Sequence, residues 1–307
     1  MVRAIDHDFA HGDAALDEQL APAHQAMREA FAAITASEAR IVPDWAQVPL
    51  ARWRTRTIDV LNLVDTAAHG MAILENTSVL LKAMFDPEMY VPEDEADAEH
   101  RAREVREVRS SSERAEREVQ RGFPLLHVLG SVWVWASLEA MFEDLLLAVL
   151  ENEPGLATEE GLRDLRVPWA VAAAGDQEML ARTVYRELEL KRGSEFKSGV
   201  TRFEGLLSTV HLGGEIPGAV RQTVFELGQV RNVILHRGGI ADQALADQCP
   251  WMDAPVGEEL RISHHRFEEY VFEVMHYVAI VRDRISERYP MAPGTISDPV
   301  ERHESKA

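Results

Sequence analysis

Apolar residues return every three, four or seven positions along most of this chain, and strand-like alternation is scarce, so the sequence reads as all-α. The most apolar example is 125–151. There Leu126, Leu129, Trp133, Leu138, Phe142, Leu145, Leu146 and Val149 make a broad apolar face. His127, Glu139, Glu143 and Asp144 interrupt this most apolar stretch, which predicts a buried core helix and not a membrane span. Gly122 and Pro124 open it, and Pro154 and Gly155 close it.

The same periodicity predicts a first helix over 13–39, ending toward Pro43. A second covers 50–85, with Ile58, Leu61, Val64, Ala68, Met71, Leu74 and Leu81 on one stripe. Pro87 and Pro92 break the chain, and the acidic run 93–97 then suits the positive end of a third helix, reaching Gln120. That helix is mostly charge; its sparse apolar line of Val105, Val108, Ala115 and Val119 suits a solvated arm or a partner-facing helix. After an irregular region come a helix at 177–190, one starting near Pro217, a long loop at 240–260 and a last helix at 263–288. The expected organisation is an N-terminal helical extension (1–92), a helical bundle (93–289) and a disordered tail (290–307).

Composition narrows the function. A formal net charge of -20 argues against a general nucleic-acid coat, because such binding scales with the phosphates met by Lys and Arg. A local basic site stays open: between Arg182 and Arg202, six basic residues face three glutamates. The single cysteine, Cys249, excludes an internal disulfide. With no apolar leader at the start of the sequence, it suggests a cytoplasmic protein.

Arg231-Asn232-Val-Ile-Leu-His236, followed by Arg237-Gly238-Gly239, places an arginine, an amide and a histidine in the last turns of a helix ending at a glycine pair. In a chain with 12 histidines such spacing arises about once by chance, so its context must carry it. Asn232 and His236 are i and i+4, on one face. Arg231 and His236 are i and i+5, about 140° apart at 100° per residue. They meet only if the arginine bends round or a second subunit completes the arrangement. Asn232 could fix the imidazole tautomer. His236 could take the 2′-hydroxyl proton of RNA while the Arg231 guanidinium answers charge growing on the phosphoryl oxygens. The plain alternative is a surface ion pair at Arg231 and a histidine favoured by the helix dipole at position 236.

The stretch 231–242 resembles the signature of the HEPN superfamily: arginine, a polar residue, three to five further residues and histidine near a helix end. Phe123-Pro-Leu-Leu-His127 and the Leu138-Glu139 to Asp144 stretch are similar to the long family helix, so the resemblance spans roughly 93–288. It implies an α-helical bundle, usually a homodimer with its motifs at the interface, and metal-independent endoribonuclease activity without a cofactor. The settings it implies are toxin–antitoxin or antiviral defence systems with an antitoxin or defence partner protein. Some members are non-catalytic RNA-binding or scaffold modules. By this resemblance Arg231 and His236 are catalytic and Asn232 supports them.

Other candidates are weaker. Arg121 and His127 also fit the loose motif but straddle a helix start. Glu139 and Asp144 are expected to pair with arginine or cap a neighbouring helix. Glu273 and His276 form a lone E-x-x-H, and His264-His265 lacks companion ligands at zinc spacing. Trp45 and Trp53, with Arg52, Arg54 and Arg56, could grip single-stranded RNA or simply pack on the core.

Overall fold

The computed structural model describes residues 42–84, 92–158, 162–192 and 199–290. The expected helix at 13–39 and the tail beyond 290 lie outside the described residues. The fold is all-α, with no strand among the described residues. The helices are α1 (Asp44–Met84), α2 (Glu95–Gln120), α3 (Pro124–Asn152), α4 (Trp169–Ala173), α5 (Gln177–Arg192), α6 (Val200–Thr209), α7 (Gly218–Arg237), α8 (Gln243–Gln248) and α9 (His264–Arg288).

Helix α3 is the spine, packing against α1, α5, α6, α7 and α9. Leu138, Phe142, Leu145, Leu146 and Val149 are at most 1% exposed. Each such side chain contributes about 1.5–3 kcal/mol by leaving water. By length and composition α3 could cross a membrane, yet 56% of its apolar window is buried inside this bundle. Its N-terminal half departs from the expected face: Leu125, Leu129 and Trp133 are more than half exposed. The helix is apolar on nearly every side there, so periodicity could not tell which side faces inward.

Helix α1 begins earlier than expected, running through Pro49. It shares the core with α3: Val60 and Val64 are buried, Arg52 pairs with Asp144 at 2.7 Å, and Val64 approaches Gly130. Trp53 is buried in the same core, and Trp45 meets the Tyr289 ring edge-on at 5.2 Å. These aromatics pack instead of standing clear as an RNA platform. Helix α2 lies along α1, with Ser112 and Ala115 buried and the Ser112 hydroxyl donating to the Glu75 carbonyl. Asp94 caps its start by accepting from the Asp97 N–H. The chain turns from α2 into α3 through two left-handed residues, Gly122 and Phe123. Burial of Phe123 and its N–H bond to the Glu118 carbonyl offset the strain of that backbone.

Helices α7 and α9 pack on α3 and on each other, and Gly228 of α7 lets the Trp135 ring approach closely. A knot of polar groups ties them. Glu226 of α7, 0% exposed, accepts from Trp251, Tyr270 and Arg266. Trp251 belongs to the connection from α7 to α9, expected as an open loop. It holds the short helix α8, capped by Asp242, and an antiparallel bridge between Ile240 and Glu259.

Candidate functional site

Helix α7 ends as its sequence suggests. Gly238 and Gly239 take left-handed backbone, at φ 62° and 82°, and both donate to the Val233 carbonyl. That reversal satisfies carbonyls left open at the helix end without a Cβ in the way. The helix is continuous through Arg237, so Arg231 and His236 point about 140° apart.

Arg231 turns toward α3. Its Nη2 stands 3.8 Å from Glu139 Oε2, and its Nη1 donates to Asn232 Oδ1 at 3.1 Å. Asn232 therefore holds the arginine, where periodicity paired it with His236. His236 is exposed and has no partner among the described residues. The fold brings Arg231 and Asn232 together and leaves His236 on the other side of the helix end. Arg237 pairs with Asp242, whose carboxyl is held below its ordinary range by the Leu245 N–H, with Arg237 adding to the effect.

Glu139 links this arginine to a second group of charges. Its Oε1 accepts from Arg202 Nη1 at 2.7 Å, and Arg202 Nη2 reaches Glu189 Oε1 at 3.0 Å. Burial opposes the charge on Arg202, but Glu189 and Glu139 outweigh it and raise its pKa. Burial first, then Glu189 and Glu143, push the Tyr185 phenol up. These residues line a cavity of about 220 Å³ between α3, α5 and α6, floored by Phe142, Phe203 and Leu206. Pairing of Glu139 with arginine was expected; its partners were not. Arg202 closes the basic run and Glu189 is one of its three glutamates, but nothing local links either of them, or Tyr185, to Glu139.

The remaining candidates separate. Arg121 is an exposed helix cap while His127 is 1% exposed, so the second arginine–histidine pair forms no common site. Burial, then the neighbouring His264, holds the His127 imidazole down to about 4. Its Nε2 is 3.2 Å from His264 Nδ1, and its ring stacks on Phe267. His276 pairs with Glu273 at 3.3 Å. Among the described residues no three His, Cys, Asp or Glu side chains gather as a metal-ligand group. Of the basic run, Arg182 pairs with Glu178 on its own helix; residues 193–198 lie outside the described residues. No protein-family model, curated protein or solved structure matches this chain.

Proposed function

We propose that this chain is a metal-independent endoribonuclease of the HEPN type, acting as a homodimer in the cytoplasm. The observation that carries this reading is the end of α7: a partner-free, exposed His236 one turn beyond a half-buried Arg231 that Asn232 orients. His236 takes the 2′-hydroxyl proton, the 2′-oxygen attacks the adjacent phosphorus, and the bond to the 5′-oxygen breaks. The 5′-oxygen takes a proton from water and leaves, giving 2′,3′-cyclic phosphate and 5′-hydroxyl ends, and the His236 imidazolium returns its proton to the hydroxide so formed. Arg231 answers the charge on the phosphoryl oxygens.

The 140° between Arg231 and His236 favours a site completed across two copies. Leu125, Leu129 and Trp133 on α3, with Leu235 beside His236, offer exposed apolar area for a partner. The biological setting in this reading is a toxin–antitoxin or antiviral defence system, with an antitoxin or defence protein holding the activity in check.

A second reading, a non-catalytic RNA-binding or protein-interaction module, is favoured by the engagement of Arg231 with Glu139 and by the net charge of -20. Expressing wild type beside His236→Ala separates the two. The nuclease reading expects RNA cleavage and growth arrest only in the wild type, with cyclic-phosphate ends on the fragments. Equal cleavage in both, or none in either across structured and unstructured RNAs, sinks it.

A further inference from the structure

Helices α1 and α3 lie antiparallel, with Arg52 paired to Asp144 and Val64 against Gly130. Eleven residues make close to three helical turns, so a side chain eleven positions on returns to the same flank of its helix. Eleven positions after Arg52 stands Leu63, and eleven before Asp144 stands Trp133. Both therefore edge the side of the α1–α3 seam that carries the ion pair, about 16 Å further along it. They are 67% and 58% exposed. The strip continues in the same direction. Leu129 and Leu125 follow Trp133 at intervals of four on α3, and Leu74 follows Leu63 after another eleven on α1, all exposed. A single exposed leucine needs no cause, but five large apolar side chains along one seam mark a surface that something covers.

The chain enters the described bundle at the opposite end of this seam. Val42 and Ala46 are buried there, and Gln47 Nε2 donates to the Val42 carbonyl, which fixes the entry beside the first turn of α1. From Val42 to the level of Leu125 is about 27 residues of α1, or about 40 Å at 1.5 Å per residue. The segment 13–39 has 27 residues. Its sequence places Leu16, Leu20, Ala23, Met27, Phe31 and Ile34 at steps of three and four, one apolar helical stripe. Counted back from Val42 at the same rise, the level of Leu129 falls between Leu16 and Leu20. Pro22 divides the stripe into two legs, a bend that costs one backbone hydrogen bond and little reach.

We infer that residues 13–39 fold back along α1 and lay this stripe on the strip of Leu63, Leu125, Leu129 and Trp133, as a further helix of the same bundle. A segment joined to the strip through Val42 meets it at a high effective concentration, an advantage that a separate molecule lacks. Its length, its entry point and the spacing of its apolar residues all match the strip. The segment and a second copy of the chain exclude each other there, which leaves Leu235, at the end of α7, as apolar area for the proposed homodimer. None of this depends on cleavage of RNA.

Cross-linking in the full chain tests the placement. Cys249 is 0% exposed, so cysteines introduced at the surface are the ones that oxidise. Leu129→Cys is combined in turn with Leu16→Cys and with Leu20→Cys, and disulfides are read by non-reducing electrophoresis and mass spectrometry of the linked peptides. The expected result is that at least one pair joins most of the protein within single chains, at a yield that dilution does not change. Leu20→Cys with Val48→Cys, exposed at the far end of α1, should link about tenfold less. Linkage between chains that falls with dilution assigns the strip to a second copy and overturns the inference. So does no linkage in either pair, or equal linkage to Val48→Cys. A second measurement leaves residues 13–39 untouched. Leu129→Asp should speed amide exchange across 13–39 at least tenfold while exchange in α7 and α9 stays as in the wild type. Unchanged exchange across 13–39, or equal acceleration in α7 and α9, overturns the docking.

Discussion

Two glutamates, Glu226 on α7 and Glu139 on α3, each face arginine, and they differ in almost everything else. Glu226 is 0% exposed and accepts from an indole, a phenol and a guanidinium, so each oxygen has its donors. Glu139 keeps 27% of its side chain in solvent and lies between two arginines, one of them no nearer than 3.8 Å. A saturated, dry carboxylate fixes helices against each other. A partly wet one, shared by two cations, can release either of them at small cost, and that is the property the role proposed for Arg231 calls for.

The largest expected effect breaks the first of the two. Glu226→Ala leaves Arg266 with Glu269 alone and strips the buried Tyr270 hydroxyl of its acceptor, and removing one partner of a buried pair costs about 3–5 kcal/mol. Urea denaturation should show that loss, with the connection from α7 to α9 exchanging its amide hydrogens first. A loss below about 1 kcal/mol would mean the knot is dispensable and the contrast with Glu139 false.

The second test turns from the two carboxylates to a buried base, His127, whose charge the fold opposes. The folded pKa of His127 is about 4 against an ordinary 6.5, so the fold favours the neutral ring. The unfolded chain then binds more protons between those values, and stability is full above pH 6.5 and falls as pH drops to 4. The difference corresponds to about 3 kcal/mol. Denaturation at pH 7, 5 and 4 should show this slope in wild type and lose it in His127→Phe, which keeps a ring against Phe267. A wild type equally stable at pH 7 and 4 would contradict the buried neutral imidazole.

Much of this architecture is legible in the sequence because it depends on local rules. The glycine pair ends α7, Asp94 and Ser263 cap α2 and α9, and the helical stripe of α3 holds from Leu138 to Val149. What escapes depends on tertiary choice. Asn232 can serve its neighbour Arg231 or His236 a turn away, and helix geometry allows both; only the approach of Glu139 draws the arginine, and the amide with it, toward α3. The six-residue α8 is too short for periodicity to register, and α6 brings Arg202 to Glu139 across 63 positions of sequence. The pairing of Glu139 with arginine could be foreseen from a carboxylate on an apolar helix, whereas its partners are properties of the packed bundle.

A third substitution falls between the two glutamates. A Cβ at Gly228 would stand 3.0 Å from the Trp135 ring. Trp135 is buried and its ring lies 5.7 Å from that of Phe203, so it has little room to yield. Gly228→Ala should therefore cost about 1–3 kcal/mol by overpacking. Because it pushes α7 from α3, it should weaken the contact between Arg231 and Glu139 while sparing the Glu226 knot on the side of α9. Calorimetry gives the cost, and amide exchange shows which contact loosened; equal loosening at both glutamates would mean α7 moves as one piece.

The smallest effect on stability belongs to Glu139→Gln. The amide keeps an acceptor for Arg202 but loses the charge that attracts Arg231, and for side chains this exposed the change should stay within about 1 kcal/mol. Its consequence for the proposed chemistry should be larger than for the fold. Without the carboxylate, Arg231 spends more time free, so RNA binds more tightly while a less well-placed guanidinium lowers turnover. KM and kcat should fall together, a pattern that loss of structure does not produce, since it reduces active protein and leaves KM unchanged. If Glu139→Gln instead matched Glu226→Ala in lost stability, Glu139 would be a second structural knot, and the distinction between a fixed and a releasable carboxylate would not hold for this protein.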